Sequence, residues 1–408
     1  MKIFHTADWH IGQNFYGYDR KDEHLFFFDW LKKQVKEHQP DALLIAGDVF
    51  DSPNPSAESQ KIYYKFLHEI NAENPLLQII IIAGNHDSAA RLEAPNPLLE
   101  EMNITVKGMI KRQQDDEIDY RDLLVPIVKN GEIAAWCAAV PYLHQGDYPP
   151  AESYVKGIEL MYEKLYGELE KLKTPAQAVI VTGHLQARGA HLSEKDRSER
   201  AIIGGLECVS TDVFANRDIA YVALGHLHRC QKVAGHSNIQ YAGSPLPMSF
   251  AEKNYKQGVN LVIFNNNKVE TIERISFAPP VELLSVPVEP KPLYTVLDEL
   301  AKLPDGEITT RSPYLEIKAL LTGPEPSIRY HIENALKGKS VRLACIVANK
   351  SGSDEPLLNT IKYDDLKEID PMEVARIAFR NQYDEEMPEN LVKLLQNVIR
   401  ELRNEILY

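Results

Sequence analysis

Five short groups hold the residue types that bind divalent cations and move protons: Asp8-Trp9-His10, Gly47-Asp48, Gly84-Asn85-His86-Asp87, Gly183-His184 and Gly225-His226-Leu227-His228. In this order they suit a dinuclear centre for phosphoester hydrolysis. Two divalent ions about 3.5–4 Å apart clamp the attacking and leaving oxygens of a phosphoryl displacement and lower the pKa of a bridging water, making hydroxide available near neutral pH. A shared carboxylate can bridge the two ions, and Asp48, the middle acid, is the natural bridge. Asp8, His10 and His228 complete one shell; Asn85, His184 and His226 complete the other. A mixed carboxylate, imidazole and amide shell suits Mn²⁺ or Fe²⁺ better than a thiolate-seeking metal. His86 follows a ligand and is free to protonate the leaving oxygen, with Asp87 as the acid that orients it.

Such side chains need rigid elements to converge. Each group closes a short apolar run rich in β-branched residues, among them Ala42–Ala46, Ile79–Ala83 and Val179–Thr182. These runs read as buried strands, which places the polar groups on loops at strand ends. Open α/β sheets bind ligands at the carboxyl ends of their strands, so loops far apart in sequence can meet in one crevice. Taken singly, each group has an ordinary explanation, since Gly-Asp after a strand is common turn chemistry. All five together, each at a strand end, are the signal.

The groups resemble the signature of the calcineurin-like metallophosphoesterases. The opening His5-Thr6-Ala7-Asp8-Trp9-His10-Ile11-Gly12 is similar to the bacterial SbcD branch, the nuclease subunits of SbcCD complexes. Ala46-Gly47-Asp48-Val49-Phe50-Asp51, Ala83-Gly84-Asn85-His86-Asp87-Ser88, Ala223-Leu224-Gly225-His226-Leu227-His228-Arg229 and Tyr241-Ala242-Gly243-Ser244-Pro245 fit the same branch. The similarity is strong over residues 1 to about 250 and architectural beyond.

The resemblance implies an α/β fold, a β-sandwich flanked by helices, with a small α+β capping domain and a C-terminal helix pair. It implies two divalent ions, Mn²⁺ expected, held by Asp8, His10, Asp48, Asn85, His184, His226 and His228, with His86 as the catalytic histidine. It further implies exonuclease and endonuclease action on DNA ends and hairpins in repair and recombination. The implied partners are DNA and an SbcC-like ABC/SMC-type ATPase, with the chain as a homodimer inside a heterotetramer.

Composition sets outer limits. The chain has 408 residues, 44% hydrophobic and 25% charged, which is enough for two or three domains of a soluble protein. No apolar stretch approaches the roughly 20 residues that span a bilayer, and the first residues read as a strand and not as a signal peptide. Cys137, Cys208, Cys230 and Cys345 show no paired spacing. A cytoplasmic protein without membrane attachment is expected. A net charge of −14 opposes autonomous binding of a polyanion. It leaves room for a nuclease whose ions meet the scissile phosphate and whose partner holds the duplex. Arg188, Lys195, Arg197 and Arg200 are interleaved with Glu194, Asp196 and Glu199, which reads as a solvated loop.

Residues 1–278 alternate strand-like and helix-like stretches, with helices expected near 22–38, 56–73 and 151–173 and a closing hairpin at 259–265 and 268–276. Ala278-Pro279-Pro280 marks a boundary. Residues 281–349 read as strand, helix, strand, helix, strand, the capping unit. Ser351-Gly352-Ser353-Asp354-Glu355-Pro356 reads as a linker. In 357–408, Asp370-Pro371-Met372-Glu373 reads as a helix start. A second helix carries Leu391, Leu394, Leu395, Val398, Ile399, Leu402 and Ile406 at three- and four-residue spacing, a stripe that must bury itself against the chain's own body or a partner.

Phosphomonoesterases, cyclic-nucleotide phosphodiesterases and nucleotide pyrophosphatases share such a metal core, typically without the capping unit and C-terminal helices. An inactivated scaffold is the non-enzyme alternative. Scaffolds of that kind lose ligands, whereas this chain keeps all seven and His86.

Overall fold

The computed structural model describes residues 1–191, 208–215, 218–233, 235–321, 323, 325–350, 372, 375, 376, 379, 380 and 387–405. Two six-stranded sheets dominate it. The first runs β14 (Lys268–Ser276), β13 (Gly258–Asn265), β1 (Lys2–Thr6), β4 (Ala42–Ala46), β5 (Gln78–Ile82), β6 (Ile104–Lys107). The second runs β11 (Gln231–Lys232), β12 (Ile239–Tyr241), β10 (Tyr221–Gly225), β9 (Ala178–His184), β8 (Glu132–Ala139), β7 (Leu124–Lys129). In the first sheet β1, β4, β5 and β6 are parallel, and in the second β8, β9, β10 and β12 are parallel. Their carboxyl ends therefore share one side of each sheet.

The central strands are apolar throughout because both faces are covered. Alternate residues of β4 and β5 separate cleanly. Leu43, Ile45, Ile79 and Ile81 pack with Phe27, Phe28, Leu31, Phe66 and Leu67 from the helices Lys21–His38 and Ala57–Glu73. Ala42, Leu44, Ile80 and Ile82 face the other way, onto Ala135, Cys137, Ile180 and Ala223 of the second sheet. On that sheet's far side Val179, Val181, Val222 and Leu224 meet Ile158, Met161, Leu165 and Leu169 of the helix Tyr154–Leu172. The period of two along each strand thus builds a helix–sheet–sheet–helix sandwich, the expected architecture. The helices begin where polar residues satisfy their free N–H groups: Ser56 accepts from the Ser59 amide and Ser153 from the Lys156 amide.

A three-stranded parallel sheet, β15 (Leu283–Pro292), β16 (Tyr314–Leu321) and β17 (Arg342–Lys350), follows with the helices Leu293–Leu300 and Ile328–Ala335. Its core, including Val296, Leu300, Leu315, Ile317 and Ile332, is separate from the sandwich layers. It seats on a small antiparallel ribbon, β2 (Asn14–Phe15) and β3 (Tyr18–Asp19), just beyond the Asp8–His10 loop. Phe15, Phe250, Val281 and Tyr314 are buried together there. The Tyr314 hydroxyl donates to Glu23 Oε1 at 2.8 Å, and the Arg342 guanidinium lies 3.8 Å from the Tyr314 ring centroid.

Of the C-terminal segment, Glu389–Glu405 is a helix. The Gln396 amide of this helix donates to Gln145 Oε1 at 3.5 Å. The linker 351–356, most of the helix start at 370–373 and the charged residues 194–200 lie outside the described residues. Among the described residues no helix is long and apolar enough to cross a membrane.

Candidate metal centre

The sandwich brings all seven expected ligands to one edge. Asp8 and His10 follow β1, Asp48 follows β4, Asn85 follows β5, His184 ends β9, and His226 and His228 follow β10. The first sheet thus supplies four ligands and the second three.

The same local device aims the ligands of two loops. In Asp8-Trp9-His10 the middle side chain is fully buried in the helix-side core, edge-on to Phe27, Phe28 and Phe66, with its indole N–H donated to Thr6 Oγ1 at 2.9 Å. Aromatic contacts of this kind contribute about 0.5–1.5 kcal/mol each beyond area burial. With Trp9 held inward, Asp8 and His10 are turned to the opposite side, both at positive φ (54° and 47°). In His226-Leu227-His228 the buried Leu227 joins the other helix-side core in the same way. Asp48 also has positive φ, 49°. Non-glycine residues in this region are uncommon and mark a backbone that its surroundings hold in place.

Close packing of loop on loop does that holding. The amides of Asp8, His10 and Ile11 donate to the carbonyls of Gly47, Asp48 and Val49 at 2.9–3.0 Å. The His226 amide donates to Asp8 Oδ1 at 2.9 Å, joining the two sheets. Gly47, at φ 90°, and Gly84 cannot be replaced freely, because a Cβ on the first would collide with the His184 ring and on the second with the Asp48 carboxylate.

Asp48 sits between the two shells. Its Oδ2 lies 3.1 Å from His184 Nε2 and 3.7 Å from His10 Nε2, and its Oδ1 accepts the His86 amide at 2.9 Å. Asn85 Oδ1 lies 3.0 Å from His184 Nε2 and 3.1 Å from His226 Nδ1. Three trios have ligand atoms within 4.8 Å of one another: Asp8, His10 and His228; His10, Asp48 and His86; Asp8, Asp48 and His184. His86, read from the sequence as the proton donor, therefore also stands within reach of a cation.

The donor set fits divalent cations on a further ground. Asp8 is fully buried, and its Oδ2 has no hydrogen-bond partner among the described residues. Burial raises the Asp8 carboxyl above its ordinary range. Burial acts on Asp48 too, but the imidazoles of His184 and His86 outweigh it and hold that carboxyl well below the ordinary range. Two buried acids ringed by imidazoles are costly without a compensating charge, and divalent ions supply one.

The rings are fixed from behind. His184 Nδ1 donates to the Ala46 carbonyl at 2.9 Å, so its Nε2 faces inward. His10 Nδ1 lies 3.2 Å from Asp51 Oδ1, and His228 Nδ1 3.0 Å from Glu252 Oε1. His86 Nδ1 donates to the Asp51 carbonyl at 3.1 Å, and the residue is half-buried.

Asp87 is engaged by the backbone of two loops. Both its oxygens accept backbone N–H groups, of Val49 at 3.1 Å and of Phe50 and Gly84 at 2.9 Å. It ties the Asp48 and Asn85 loops together through the backbone. Burial, with Asp48 nearby, raises its carboxyl to about 6. Sequence reading missed Asp51 and Glu252 as ring partners. Asp51 sits inside a recognisable group, whereas Glu252 has no local mark, since His228 lies 24 residues away.

Comparison with known proteins gives the site its class. Residues 1–230 match the family model described as Calcineurin-like phosphoesterase, and residues 279–383 match the Type 5 capsule protein repressor C-terminal domain. The chain belongs to the calcineurin-like phosphoesterase family. Within it, the relatives are the SbcD components of SbcCD nucleases. The SbcD component of the Rhodobacter capsulatus nuclease is 36% identical over 374 residues, 87% of this chain and 89% of the relative. That of Escherichia coli K12 is 33% identical over 68% of each chain, and that of Bacillus subtilis 168 is 32% identical over 64% of this chain and 66% of the relative.

Proposed function

We propose that this chain is a two-metal DNA nuclease, the catalytic subunit of an SbcCD-type complex in DNA repair and recombination. The observation that carries the proposal is the intact ligand set converging from both sheets on Asp48, beside a half-buried His86. Asp8, His10, Asp48, Asn85, His184, His226 and His228 would hold the ions, and Mn²⁺ suits this oxygen and imidazole set. Ions held there would supply positive charge to a phosphodiester and Lewis acidity to activate water. The chain's own contribution is placement. Asp48 spaces the two shells, Asp87 ties the loops, and His86, oriented by the Asp51 carbonyl, presents Nε2 to protonate the leaving oxygen.

Residues 1–278 form the proposed nuclease domain, 281–349 the capping domain that positions DNA, and 357–408 the region that docks an SbcC-like ABC/SMC-type ATPase in a heterotetramer built on a homodimer. Similarity to the SbcD components of SbcCD nucleases supports this organisation. The test is a labelled DNA hairpin incubated with Mn²⁺, ATP and the ATPase partner. Cutting that is lost when Mn²⁺ is chelated is expected, and an intact hairpin beside a hydrolysed aryl phosphodiester would point to a small-molecule phosphodiesterase instead.

The charge of −14 leads to a second expectation. The chain alone should bind duplex weakly, with a shallow dependence on salt, and the partner should steepen that dependence as more phosphates are neutralised. Fluorescence anisotropy over a salt series measures both slopes. Tight, strongly salt-sensitive binding by the chain alone would refute this division of labour.

A further inference from the structure

We propose that Glu252 is a positioning residue for His228 and that it sets the affinity of the cation held by Asp8, His10 and His228. Glu252 is fully buried, and its Oε1 lies 3.0 Å from His228 Nδ1 while its Oε2 accepts the Met248 amide at 2.8 Å. On the site side, ligand atoms of His228, Asp8 and His10 lie within 4.8 Å of one another. A carboxylate behind a metal-binding imidazole fixes its tautomer and ring plane and raises its basicity.

The segment carrying Glu252 is itself braced at both ends. The Ser244 amide donates to the His228 carbonyl at 3.0 Å, so one stretch of chain grips both the backbone and the ring of this ligand. Arg20 donates to the Pro247 carbonyl at 2.6 Å, and Phe250 packs on Phe15 beside Tyr314 of the capping sheet. The carboxylate therefore stands on a fixed base. The other shell has no such dependence: His184 is held by the Ala46 carbonyl, and His226 by contact with Asn85. Loss of Glu252 should thus weaken one ion and spare the other.

The inference rests on the two-metal reading, and Mn²⁺ titration of the full chain separates the two. Calorimetry and metal analysis are run on the native protein, Glu252→Gln and Glu252→Ala, with thermal melting of each metal-free form. Native protein should bind two ions. Glu252→Gln, which keeps the shape and a neutral acceptor, should weaken one ion by about 10-fold and leave the second unchanged, with the metal-free melting temperature preserved. Glu252→Ala should weaken the same ion by about 100-fold, the upper end for losing such a partner. If Glu252→Ala fails to fold, Glu252→Gln carries the test alone. Two ions bound by Glu252→Gln with native affinity, or both weakened equally, would overturn the inference. Fewer than two ions in the native protein would overturn the two-metal reading itself.

Discussion

Asp48→Ala is expected to lose both cations and all hydrolysis, whereas His86→Ala should keep both cations and lose about 10²–10⁴-fold in turnover, the range for removing a general acid. The contrast follows from geometry. Asp48 Oδ2 lies near proposed ligands of both shells, His184 at 3.1 Å and His10 at 3.7 Å, so its loss should deprive both ions together. It also leaves the His86 amide without its acceptor. His86 stands at the rim, held through Nδ1 by the Asp51 carbonyl, and its removal leaves the seven proposed ligands in place. Metal analysis beside Mn²⁺-dependent hydrolysis of an aryl phosphodiester separates the variants. Native metal content in Asp48→Ala would refute the bridge. Metal loss in His86→Ala would instead make that residue a ligand, as its nearness to His10 and Asp48 permits.

Charging the C-terminal helix should have the second largest effect, and on assembly alone. Leu391, Leu394 and Val398 recur at helical spacing and are 39%, 60% and 41% exposed, while Gln396 touches Gln145 of the chain's own body. Among the described residues, this part of the apolar stripe is therefore only partly covered by the chain. Leu394→Glu with Val398→Glu should leave the melting temperature nearly unchanged, because exposed substitutions usually alter stability by less than about 0.5 kcal/mol. Buried against an ATPase partner, each unpaired charge costs several kcal/mol, and every 1.4 kcal/mol weakens association about tenfold. Co-purification with the partner should fail while small-substrate hydrolysis persists. A double variant that unfolds would assign the stripe to the core, and one that still assembles would place the partner elsewhere.

The gathering of the proposed ligands was legible in the sequence because each sits at the end of a run whose composition already demands a strand. Asp48 follows Ala42–Ala46, and His226 follows Tyr221–Gly225, so a strand-end reading gathers them without knowledge of the pairing. What holds the ligands was not legible. Glu252 meets His228, Tyr314 meets Glu23 and the His226 amide meets Asp8 across long separations that no local pattern encodes. Asp87 shows the limit at short range. Its place beside His86 was visible, whereas the three backbone amides that its carboxylate accepts were not. The helix at Glu389–Glu405 was visible from its spacing, whereas the contact of Gln396 with Gln145 was not.

The split origin of the ligands, four from one sheet and three from the other, makes the proposed ions a rivet across the sandwich. Neither sheet alone offers a complete proposed shell, so the proposed ions would favour the native pairing of the two. Binding of that kind adds stability by mass action, about 2.7 kcal/mol per site at a hundredfold excess over the dissociation constant. That sum is a large fraction of the net stability of an ordinary domain. Metal scarcity then acts on the lifetime of the polypeptide as well as on its turnover, since a larger unfolded fraction is exposed to proteolysis. A cell short of the ion would hold fewer copies of the nuclease, and not merely idle ones.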